Sequence, residues 1–160
     1  MPTSCEREET IRALIDKGKR NLEIAKILDS REFSDLSKYP KEHLCSVIIN
    51  RLYYGVYLIG KGKLLEKDKT IEEKERIGHI GYYPNKNKGN DNNEETKFLW
   101  TELRKHNPQY RDIYLKAKNL FDMRNEYDYN RDKKREEIEM DLKGYKKKAN
   151  RLAKKLGRLL

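Results

Sequence analysis

At 160 residues the chain is expected to form one domain, residues 1–160, with a real core. Charged side chains make up 40% and hydrophobic ones 36%, with only four prolines, which implies a lean core, a surface dense in Lys and Glu, and a helical protein. The formal charge of +10 directs attention to nucleic acid or another polyanion, and two cysteines, Cys5 and Cys45, are too few for a disulfide scaffold and are read as free thiols.

Met1 to Glu9 is polar and acidic and lacks the apolar run of a signal peptide, so a cytoplasmic location is expected. The first helix is predicted from about Glu6 to Asp29. Ile11, Leu14, Ile15, Leu22, Ala25 and Leu28 supply its buried stripe. Gly18 interrupts it at a cost of roughly 1 kcal/mol against Ala. Thr3 or Ser4 is placed to cap the start, and the residues around Cys5 are expected to fray. Ser30 to Pro40 is a connector in which Phe33, Leu36 and Tyr39 tuck under the bundle, and Pro40 suits a helix start.

A central helix is predicted from about Lys41 to Leu65 and is the most apolar segment of the chain. Val47, Ile48, Leu52, Val56 and Ile59 fall at helical spacing, and Ile49, Tyr53 and Tyr57 add an adjoining stripe. A helix apolar over so much of its circumference must be covered on several sides. Arg51, Lys61 and Lys63 make it too short and too interrupted to cross a membrane.

From Glu66 to Asn93 the pattern weakens. Lys67 to Arg76 is charged and fits a short helix, Ile77 to Pro84 is a compact turn around His79, and residues 85–93 form a mobile loop of Asn, Lys, Gly and Asp. A third helix fits Glu94 to His106, with Phe98, Leu99, Trp100 and Leu103 inward and Asn107-Pro108 at its end. The fourth runs from about Gln109 into the Tyr127 region on a stripe of Tyr110, Ile113, Tyr114, Ala117, Leu120, Phe121 and Tyr127. The last, about 132–159, carries Ile138, Leu142, Tyr145, Ala149, Leu152, Leu156 and Leu159 as a seam. No tandem repeat is present. The fold class is all-α, an up-and-down bundle of four or five helices.

Two groups of residues carry the chemistry. Arg124 and Asp128 are four apart and share a helix face, so Asp128 is expected either to make a plain ion pair or to hold the guanidinium toward a cleft or dimer seam, ready to grip phosphate. Tyr127 and Tyr129 lie beside them as core residues or base-stacking platforms. The second group is the last helix, which from Leu142 onward holds eight Lys or Arg and no acid. Lys143, Lys147, Arg151 and Lys154 line one of its faces, either as a solvated face or as a polyanion contact. His43, His79 and His106 have no metal-ligand spacing, and there is no phosphate-cradling glycine loop and no nucleophile motif, so no metal or cofactor is implied.

Three blocks resemble the HEPN family (higher eukaryotes and prokaryotes nucleotide-binding). Lys17 to Asp29 looks like its opening helix, Arg51-Leu52-Tyr53-Tyr54 within His43 to Leu65 looks like its Arg-x-Tyr-Tyr helix, and Arg124-x-x-x-Asp128-Tyr129 looks like the closing block of small stand-alone members. Gly78-His79 falls where many members have a His before the third helix. The resemblance covers roughly Lys17 to Asn130. It implies a homodimeric α bundle from a prokaryotic defence or toxin–antitoxin module. Many members are metal-independent ribonucleases whose Arg is followed, four to six residues on, by His. Here neither Asp128, which opens that window, nor the residues after it, Tyr129, Asn130 and Arg131, is a His. The leading expectation is therefore a component that binds RNA or a nucleotide through Arg124, Arg51 and the basic last helix. One alternative is an endoribonuclease built on Arg124, Asp128, Tyr129 and His79. The other is the partner subunit of a nucleotidyltransferase, with no nucleic acid contact of its own.

Overall fold

The computed structural model describes residues 4–30, 41–71, 99–106, 110–129 and 135–158. They form five helices and, among the described residues, no strand: α1 (Ser4–Asp29), α2 (Lys41–Lys67), α3 (Leu99–His106), α4 (Tyr110–Tyr129) and α5 (Arg135–Gly157). The expected all-α bundle is what the chain forms. The connector 31–40, the loop at 85–93, residues 94–98 and His79 lie outside the described residues.

Helix α2 packs against each of the other four helices. Its sequence explains why: Ile48, Ile49, Leu52, Tyr53, Val56, Tyr57, Ile59, Leu64 and Leu65 are all buried, and they point in most directions around the helix. The partners contribute matching stripes. Ile113, Ala117 and Leu120 come from α4, and Leu142, Tyr145, Ala149, Leu152 and Leu156 from α5, each set spaced by three or four residues. From α1, Ile11 and Ala25 are buried and Leu14, Ile15, Leu22 and Leu28 pack against the core at partial exposure.

Gly18, which reads in the sequence as a flaw in α1, is the point where α1 crosses α2. A Cβ there would lie 2.8 Å from the Gly55 carbonyl oxygen and 2.7 Å from Ile59, and one on Gly55 would lie 2.9 Å from the Gly18 oxygen. The two backbones approach closely because neither residue has a side chain. Gly60 plays a related part toward α3, where the Trp100 ring occupies the space a Cβ would need.

The first turns of α1 are anchored through Arg7. The half-buried Arg7 donates from Nη2 to the carbonyls of Leu65 (2.8 Å) and Asp68 (2.9 Å), and from Nη1 to that of Ile71 (2.9 Å). A guanidinium thus closes the C-terminal end of α2, where carbonyls lack helical partners and the dipole is negative. The turn beyond α2 places Ile71 in the core at 1% exposure, within the stretch expected to be charged and marginal. Lys63 is buried at 5% exposure and pairs with Glu66 at 2.8 Å.

Candidate functional site

Arg124 follows buried Ile113, Ala117 and Leu120 at intervals of four, three and four, so the register of α4 turns it toward α2. There its Nε donates to Asn50 Oδ1 at 2.5 Å. Its guanidinium carbon lies 5.4 Å from the centroid of the Tyr54 ring and 5.7 Å from that of Tyr53. Contacts of this kind contribute about 0.5–2 kcal/mol, more as water is removed from them. The rings are themselves interlocked: Tyr53 meets Tyr54 at 6.1 Å with planes at 70°, Tyr54 meets Tyr57 at 6.5 Å and 89°, and Tyr53 tilts against Phe121 at 5.6 Å. Edge-on packing of aromatic rings is favourable and fixes their orientation.

The tyrosines divide by exposure. Tyr53 is fully buried, whereas Tyr54 is 39% exposed. Burial pushes the Tyr53 hydroxyl far above its ordinary range, against the smaller opposing pull of Trp100 and Arg124. Among the described residues the buried Trp100 Nε1 completes no hydrogen bond. Tyr57 is shifted up by burial as well. At neutral pH these hydroxyls stay protonated and act as donors, not as bases. The arrangement is suited to holding a planar or anionic group.

Arg51 lies on the solvent-facing stripe of α2 with Val47 and Tyr54. Its Nη1 donates to Asn21 Oδ1 of α1 at 3.2 Å, and Asn21, only 7% exposed, is itself fixed by donating to the Lys17 carbonyl at 2.8 Å. One guanidinium therefore reaches the stripe from the α4 side and another is drawn toward the α1 side, with Tyr54 between them.

The brace seen on Arg124 is Asn50. The side chains of Asp128 and Tyr129, at the end of α4, lie outside what is described, as does His79. Tyr127 packs against the core, the first of its two expected roles, and donates its hydroxyl to Asp141 Oδ2 at 2.8 Å, tying α4 to α5. Tyr145 does the same in the other direction, donating to the Leu120 carbonyl at 2.8 Å.

The cations of α5 separate into two kinds. Lys146 pairs with Asp29 of α1, Lys155 with Asp112 of α4 at 2.7 Å, and Lys148 donates to Asn119 at 2.8 Å. These hold α5 between its neighbours. Lys143, Lys147, Arg151 and Lys154 are exposed, with Arg158 continuing their row, and have no ion-pair partner among the described residues. At about 1.5 Å per residue the five span roughly 22 Å.

This row is not joined to Arg124. A cleft of about 430 Å³ between α1 and α5 is lined by Leu22, Ala25, Leu52 and Lys146, which marks Leu52 as lying on the α5 side of α2. Tyr54, two residues on, is about 200° around the helix. Among the described residues Arg51 and Arg124 on one hand and the basic row of α5 on the other form two surfaces, on opposite sides of α2.

The sequence does not mark Asn50, Asn21 and Tyr54 as site residues. One signal was available: Asn50-Arg51 is a polar pair in the middle of an apolar helix, and such a pair needs a polar partner or solvent. Among the described residues no three His, Cys, Asp or Glu side chains gather as a metal site, and no helix is long and apolar enough to cross a membrane. No family model, curated protein or solved structure matches the chain. What the fold defines is the class, an all-α bundle built around one apolar helix.

Proposed function

We propose that the chain is a HEPN-like, homodimeric component of a prokaryotic defence or toxin–antitoxin module that binds RNA or a nucleotide. The observation that carries this reading is Arg124: a guanidinium braced by Asn50 and laid against two tyrosine rings, one of them exposed. A braced arginine has lost rotamer freedom in advance, and its planar fork matches phosphate. The row from Lys143 to Arg158 adds a second surface of positive charge.

The reading predicts RNA affinity that falls steeply with salt, the slope flattening by about 0.7–0.9 for each phosphate contact removed. Fluorescence anisotropy with labelled RNA across a salt series measures it, and flat affinity from low to moderate salt would defeat it. Arg124→Ala is expected to weaken binding more than tenfold. Incubation of the protein with tRNA in EDTA distinguishes the catalytic version, a metal-independent endoribonuclease. Cleavage that disappears in Arg124→Ala would establish it, and intact tRNA leaves binding alone.

A further inference from the structure

We infer that the face around Tyr54 takes an unpaired nucleotide, its base stacked on the Tyr54 ring and its flanking phosphates held by Arg51 and Arg124. This rests on the nucleic-acid reading above and narrows it from RNA or a nucleotide to single-stranded RNA. Tyr54 presents 39% of its surface to solvent, and its ring is held edge-on by Tyr53 and Tyr57, so little freedom remains to be lost when a base arrives. Arg124 stands on the α4 side of that ring, anchored by Asn50, and Arg51 on the α1 side, anchored by Asn21. Val47, 45% exposed, and half-buried Leu58 continue the stripe along α2 and extend its apolar floor.

The ligand class follows from shape. In an A-form duplex the base faces are covered by their neighbours, and the readable edges sit in grooves, so a ring on a helix surface meets only sugar and phosphate. A splayed base offers its whole face, and stacking of this type tolerates any base. The exposed row on α5 contains no aromatic residue and contacts phosphate only, without preference for single strands. Selectivity for unpaired RNA is thus the property that separates the Tyr54 face from the α5 row.

The test compares a short single-stranded RNA carrying 2-aminopurine with a duplex of equal length, at fixed salt, using the full chain. Wild type is expected to prefer the single strand about tenfold or more and to quench 2-aminopurine fluorescence on binding. Tyr54→Leu should lose about 5- to 150-fold in single-strand affinity, leave duplex affinity unchanged and abolish the quenching, while Tyr54→Phe retains all three wild-type behaviours. Equal affinity for both RNAs, with Tyr54→Leu indistinguishable from wild type, overturns this inference and leaves the nucleic-acid reading standing. Binding by wild type without quenching overturns it as well, independently of how any variant folds. Absence of binding to either RNA at low salt removes both this inference and RNA binding as the proposed function.

Discussion

The two flanks of α2 are built on different principles. Toward α1 it meets its neighbour backbone to backbone, with Gly18 and Gly55 in mutual contact and no room for a single Cβ. Toward α4 it meets a guanidinium spread over two rings, with a polar brace and an exposed edge. The first flank is close-packed and bounded by backbone atoms, which cannot rotate away. The second is made of side chains whose contacts are polar and partly wet, so substitution there changes surface chemistry more than packing. One helix thus carries a rigid seam and a polar, partly exposed edge on adjacent sides, and the seam fixes the position of the edge.

The largest test of that contrast is Gly18→Val. The new side chain would press on the Gly55 carbonyl and on Ile59, and overpacking against backbone costs about 3 kcal/mol. Urea unfolding followed by circular dichroism should show it. Gly144 is the control: nothing lies within 4 Å of its added Cβ, so Gly144→Ala should stabilise by about 1 kcal/mol. Equal effects at the two glycines would dissolve the distinction between seam and surface.

Farther along the same flank, Arg7→Met removes three hydrogen bonds from part-buried carbonyls at the end of α2. About 2 kcal/mol of stability should go with them. Amide hydrogen exchange should rise first at residues 64–71. Uniform loss of protection would show that the anchor is not local.

On the other flank Arg124→Ala should cost only about 1 kcal/mol in thermal or urea unfolding, because a half-exposed cation–aromatic contact is worth little. Its effect should appear in RNA affinity instead, and Arg124→Lys should recover only part of it, since a single ammonium lacks the fork. A stability loss as large as that of Gly18→Val would make the two flanks alike.

A smaller effect concerns acid. Asp68 accepts hydrogen bonds from the Thr70 hydroxyl first, then from the Thr70 amide and His106 Nε2, and these hold its carboxyl below the ordinary range against a modest opposing effect of burial. A carboxyl depressed in the folded state adds stability above its unfolded value of about 3.9, and that stability is lost as pH falls through the folded value. Between about pH 5 and about pH 3, wild type should therefore lose more stability than Asp68→Asn. The least effect on folding is expected at the α5 row, where Lys147→Ala and Arg151→Ala should each change stability by less than about 0.5 kcal/mol while flattening the salt dependence of RNA binding.

The helices were legible because each carries its own periodic stripe. Ile113, Ala117 and Leu120 announce α4 and, by continuing the count, the inward direction of Arg124. Leu142, Tyr145, Ala149 and Leu152 announce α5. Other features were not legible, since they depend on what lies across a gap in sequence. Gly18 reads as a weakness until Gly55 is seen opposite it. Nothing around Arg7 announces its partners, which are carbonyls some 60 residues away. Lys146, Lys148 and Lys155 cannot be told from their exposed neighbours until α1 and α4 supply partners.

The sequence by itself determined that this chain is helical, that the segment around Tyr53 lies at its centre, and that its surface is rich in positive charge, because hydrophobic spacing and side-chain charge are properties of neighbouring residues. Tertiary structure alone decided that Asn50 braces Arg124, that Tyr54 is exposed while Tyr53 is not, and that the basic face of α5 lies across the bundle from both. Those are relations between helices, set by how closely two backbones pass and by which register the crossing allows.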